Sequence, residues 1–136
     1  MQELKKKLIS IAEYHEIEQE SGLKYEYHQG EIFAMAGGEP EHSLIATNIS
    51  TILNTKLQGK GCIVGNSDLK VRLDDQDRTF YPDISIFCEP PIRSSKESIA
   101  LTNPSMLVEV VSDTPKHTIE ETSLTTTAEF LRLNVI

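Results

Sequence analysis

The stretch MLVEVVSDTPKHTIEETSLTTTAEF, Met106 to Phe130, decides the fold. Its opening, MLVEVVS, is an apolar strand interrupted by one carboxylate, Glu109. A carboxylate in such a setting is costly unless something binds it. The stretch then becomes a threonine-rich run with no apolar face, so the strand's chemistry stops a few residues after it begins.

A second acid in the same kind of setting lies upstream. YPDISIF places Asp83 among β-branched and aromatic residues. Two carboxylates held near a core repel one another unless they are protonated or bridged by a cation. A hard divalent ion takes one or two carboxylates, a backbone carbonyl and several waters. If the two strands are neighbours, Asp83, Glu109 and the carbonyl of Val110 hold such an ion at the sheet's edge. Each acid alone has a plainer explanation. Asp83 caps a turn after Pro82, or Glu109 pairs with Lys70 or Arg72. The two together favour the metal.

Further outward, ISIAEYHEIEQESG sets Ile9, Ala12 and Ile17 among acids and stops at Gly22, an amphipathic helix with an end signal. KYEYHQGEIFAMAGG predicts a hairpin turning at Gln29-Gly30 and closed by Gly37-Gly38. EPEHSLIATNISTILNTKLQGKG carries Leu44, Ile45, Ile49, Ile52, Leu53 and Leu57 at helical spacing. CIVG, LKVRL and YPDISIF predict strands, with DDQDR a polar turn and EPPIRSSKES a loop. The order of elements implies one α/β domain with a mixed central sheet.

At 136 residues the chain has room for one hydrophobic core. Its apolar start, Leu8 to Ala12, is too short for a signal peptide or a membrane span, which predicts a cytoplasmic protein with no membrane partner. Cys62 and Cys88 fit no zinc spacing and suggest buried free thiols. The net charge of −8 opposes casual nucleic-acid binding. A protein acting on DNA would need a local basic face, bound metal or a partner such as a second copy.

YPDISIF followed by VEVVS resembles the PD-(D/E)xK nuclease superfamily. More closely, AEYHEIEQESGLKYEYHQGEIFAMAGGEPEHSLIATNI, NSDLKVRL, YPDISIFCEP and TNPSMLVEVVSDT together resemble the Uma-two family of restriction endonucleases. The resemblance covers nearly everything from Ile9 to Lys116. It implies a restriction-endonuclease-like mixed sheet flanked by helices. It also implies Mg²⁺ or Mn²⁺ held by Asp83 and Glu109, with DNA as substrate. Glu26, Glu41, His42 and Lys70 fall in matching segments as candidate site residues. Each has a plainer role: Glu41 as charge at a helix start, His42 as a satisfied helix-start histidine, Glu26 and Lys70 as exposed strand residues.

The superfamily pattern places a lysine two residues after the glutamate, where this chain has Val111. Uma-two relatives resemble YDRGxKFxxYR in the following helix, where this chain has TIEETSLTTTA, with Ser123 at the lysine's place. Restoring one adenine before His117 and choosing permitted codons makes this run spell TYDRGDKFDYYR. The expectation is therefore a restriction-endonuclease-like domain over residues 1–116 and an out-of-frame tail over 117–136. Such a fold is incomplete at its C-terminus, has no strand in the tail and is impaired as a nuclease. A non-catalytic binding module and a non-functional gene remnant are the rival expectations.

Overall fold

The computed structural model describes residues 6–35, 37–111 and, for the backbone alone, 129–134. Helix α1, Ile11–Ser21, starts where Ser10 accepts the Glu13 N–H at 3.1 Å and Glu13 accepts the Ser10 N–H at 2.9 Å. This reciprocal cap satisfies two donors that the first helical turn leaves open. The helix ends at Gly22, whose φ of 68° suits a residue without a Cβ. Strands β1 (Tyr25–His28) and β2 (Glu31–Ala34) form the expected hairpin. Its turn residues Gln29 and Gly30 both have positive φ, which matches the strands' twist.

Helix α2, Pro40–Leu57, begins with proline in its first turn, where the missing N–H costs nothing. Ile49, Leu53 and Leu57 pack on Ile84, Ile86 and Val108 of the sheet beneath. Leu44 and Ile52 share the helical spacing but fall on another side and stay exposed, at 64% and 53%. Strands β3 (Ile63–Gly65) and β4 (Val71–Leu73) match the expected ones. A 3-10 turn, Asp74–Gln76, then leads to β5 (Arg78–Phe80), a strand too short for its sequence pattern to announce. YPDISIF is correspondingly not one strand. Tyr81, Pro82 and Asp83 form a bend, and β6 covers only Ile84–Phe87. Proline fixes its own φ and lacks the N–H a ladder needs, so the strand is broken at Pro82.

Strand β7 is Met106–Val111, as expected. The mixed sheet runs β3-β6-β7-β8, antiparallel except for the parallel β7–β8 pair, with β8 spanning Glu129–Asn134. A strand in the tail departs from the sequence expectation. Its backbone satisfies the open edge of β7, whose N–H and C=O groups otherwise lack partners on that side. The remainder of the 117–136 segment, including Ser123, lies outside the described residues.

The mixed sheet is flanked by α2 on one face and by a second sheet, β2-β1-β5-β4, on the other. Val71, Leu73 and Phe80 of that second sheet close a core with Phe87 and Leu107. Cys62 and Cys88 are not free buried thiols. They are joined in a disulfide across β3 and β6, with Cys88 exposed. The Ile63–Phe87 pairing sets them opposite one another one step further on, a proximity that 26 residues of separation conceal in the sequence.

Candidate metal and phosphate site

The Ile84–Val108 pairing places Asp83 opposite Glu109 one step beyond the ladder. Neighbouring strands therefore bring the two predicted acids together, although Asp83 stands in the bend rather than in a strand. Asp83 Oδ2 accepts the Val110 N–H at 2.8 Å and the His42 Nε2–H at 3.0 Å. The His42 and Asp83 side chains are each only 13% exposed. The His42 contact depends on Gly38: a Cβ there would lie 3.1 Å from Nδ1 of the ring.

Glu109 is largely buried and shares a hydrogen bond with Asp83. Burial, more than any other cause, pushes its carboxyl up to about 9, with the Asp83 charge next and Glu26 adding to it. Arg78 pulls the other way. At neutral pH the pair is therefore held together by a proton, because two like charges this close cannot both ionise cheaply. The β1–β5 register sets Glu26 beside Phe80, on the face of the second sheet that meets Glu109.

Two other sequence candidates lie differently. Glu41 stands exposed in the first turn of α2, where it complements the helix dipole. Lys70 does not join the acids. Along LKVRL side chains alternate, so Val71 and Leu73 enter the core while Lys70 and Arg72 point to the opposite face. There Lys70 is buried between Glu18 and Glu97 and sits 4.6 Å over the Tyr14 ring. Arg72 binds Asp74 and Asp77, each at 2.7 Å. Its own burial works against its charge, yet the bonds to Asp77 and Asp74 outweigh this and leave its pKa raised. Neither cation pairs with Glu109, which removes the plainer explanation for that acid.

Among the described residues, no group of three or more His, Cys, Asp or Glu side chains forms a ready metal cage. The Asp83–Glu109 pair suits a hard ion that keeps most of its waters. The hydrogen bond between Glu109 and Asp83 brings the two carboxyls together, and the Glu109 proton stands where a cation's charge would serve. Val110 contributes its N–H to Asp83. A cleft of about 700 Å³ opens beside the pair, lined by His42, Asp83 and the hydroxyl and amide side chains of Ser43, Thr47, Ser50 and Asn54.

The family model described as "Putative restriction endonuclease", Uma2, matches residues 11–124. The chain belongs to that family. Among curated relatives, the uncharacterized protein slr1290 of Synechocystis is 39% identical over 104 residues, spanning 76% of this chain and 54% of that one. A second Synechocystis protein, sll1609, is 31% identical over 106 residues, spanning 78% and 60%. The chain thus spans a little over half the length of these relatives. A solved structure from Anabaena variabilis, described as "a putative nuclease belonging to DUF820", shares the fold. Its TM-score is 0.62 at 21% identity, over 80% of this chain and 62% of that one. Among the described residues, no helix is long and apolar enough to cross a membrane.

Proposed function

We propose that this Uma2 domain is built for divalent-metal-dependent hydrolysis of DNA phosphodiester bonds. The observation that carries this is the convergence of Asp83 and Glu109 from neighbouring strands, where burial and the Asp83 charge push Glu109 towards its neutral form and a Mg²⁺ or Mn²⁺ ion would offset both charges. Asp83, Glu109 and the Val110 carbonyl are the groups that would hold the ion. Once bound, the ion supplies Lewis acidity and an acidified water for attack on phosphorus. His42 fixes the orientation of the Asp83 carboxylate through Oδ2. The adjoining cleft carries Lys24 and several hydroxyl and amide side chains beside Asp83, groups that can meet a polyanion despite the chain's net charge of −8.

The family's lysine-bearing run falls at residues 118–128, where this chain reads TIEETSLTTTA, so the chain as written is expected to be an impaired nuclease. The test is Mg²⁺-dependent plasmid nicking by this chain and by a version with the reading frame restored after Lys116. Nicking should be weak in the first and strong in the second. Asp83→Ala and Glu109→Ala should each lower the restored activity by roughly 10²-fold or more, the scale of losing a main electrostatic group. Full activity in either acid variant would overturn the assignment.

A further inference from the structure

We propose that the outer side of α2 is a self-association surface, on which a second copy of this chain packs antiparallel about a two-fold axis beside Asn48. The helix runs for 18 residues, Pro40–Leu57, yet none of them is fully buried. At about 100° per residue its sides fall into three groups. Ile49, Leu53 and Leu57 turn to the sheet. Thr47, Ser50 and Asn54 line the cleft. The remaining side carries Glu41, Leu44, Ile45, Asn48, Ile52 and Lys56, all exposed except the half-buried Ile45. Leu44 is the most exposed of the large apolar side chains described.

The order of residues along this side says what covers it. Across a two-fold axis, a residue that meets a second one is matched by the second meeting the first. Turned end for end about Asn48, the side fits its own copy. Leu44 and Ile52 stand four residues either way from the axis, so each lies against the other of the second copy. Glu41 near one end then lies against Lys56 near the other, and opposite charges meet twice. Among the described residues neither of these two charges is engaged in an ion pair. Asn48 would face its own copy at the axis, where one paired amide in an apolar seam fixes register and orientation. A single helix pair about 27 Å long sits near the low end of specific interfaces, about 1,000 Å² in total. Two chains of net charge −8 also repel at long range. The association is therefore weak and reversible, in the micromolar range, and it does not rest on the nuclease function.

Sedimentation equilibrium of the whole chain, from low micromolar to several hundred micromolar, should show monomer and dimer in exchange. Ile52→Ser should weaken the dimer roughly tenfold or more, because the lost apolar contact counts twice across the axis. Glu41→Lys and Lys56→Glu should each weaken it several-fold. Made together they keep the net charge and should restore the affinity. Thermal unfolding checks that every variant folds, as these exposed positions predict. A chain that stays monomeric throughout would overturn the proposal and leave this side to another partner, such as the part of the longer relatives that this chain does not span. A dimer indifferent to Ile52→Ser would overturn it by placing the contact elsewhere. Loss in both single exchanges without recovery in the double variant would overturn the antiparallel order on which it is built.

Discussion

On one face of the β2-β1-β5-β4 sheet, Lys70 and Arg72 are buried among Glu18, Glu97, Asp74 and Asp77. On the other, Glu26, Asp83 and Glu109 gather near Arg78. Lys70, Arg72, Glu18 and Glu97 are shielded from water while Asp74 and Asp77 lie partly exposed, and the Asp83–Glu109 pair is largely buried, yet the two groups meet the cost of burial differently. On the first face each of the four acids touches a fixed cation, and neutral donors add to this: the Tyr81 hydroxyl to Glu18 at 2.9 Å, the Thr79 hydroxyl to Glu97 at 3.1 Å. Burial and the neighbouring Glu18 charge keep the Tyr81 hydroxyl well above its usual range, so it remains a donor. On the second face Glu109 has another carboxylate as its hydrogen-bond partner. A proton can be exchanged for a metal ion, whereas a lysine threaded between two acids cannot. The difference separates acids held by fixed cations from an acid pair held by a shared hydrogen bond.

The largest expected effect breaks the first network. Lys70→Ala leaves Glu18 and Glu97 buried without their cation and should cost roughly 3–5 kcal/mol, the scale for one partner removed from a buried ion pair. Urea unfolding measures it, and a loss under about 1 kcal/mol would show that the network is merely a solvated cluster. A smaller, pH-dependent effect comes from Glu109→Gln. The folded, metal-free Glu109 keeps its proton up to about 9, while the unfolded chain releases it near the ordinary 4.5. Stability is therefore full below the lower value and falls as pH rises towards the upper one. Glu109→Gln should flatten that slope in thermal unfolding between pH 5 and 9. Parallel curves for parent and variant would contradict the buried proton. Smallest is Tyr81→Phe, which removes one hydrogen bond to a charged group and should cost about 1.5–3 kcal/mol at most. Its effect should not depend on added Mg²⁺, whereas Mg²⁺ should raise the Tm of any chain that retains Asp83 and Glu109.

Much of this was legible in the sequence because it is local. Ser10 and Gly22 bracket α1, Gln29-Gly30 makes the hairpin turn, and apolar flanks around Asp83 and Glu109 mark them as acids out of place. The rest depends on contacts that no spacing encodes. Alternation in LKVRL assigns Lys70 and Leu73 to opposite faces, but which face meets the acids is decided by how β4 pairs with β5. The same alternation in RTFYPD could have pointed to Arg78, had β5 been distinguished from β6 at Pro82. The Cys62–Cys88 bond likewise waits on the β3–β6 register.

Gly38 touches neither acid, yet the space it leaves is what His42 occupies to reach Asp83. A methyl group at that position would press on the imidazole, and the strain would pass through one hydrogen bond to the carboxylate. The segment leading into α2 is thereby wired to the acid pair. A substitution at Gly38 would therefore be felt at Asp83 without touching it.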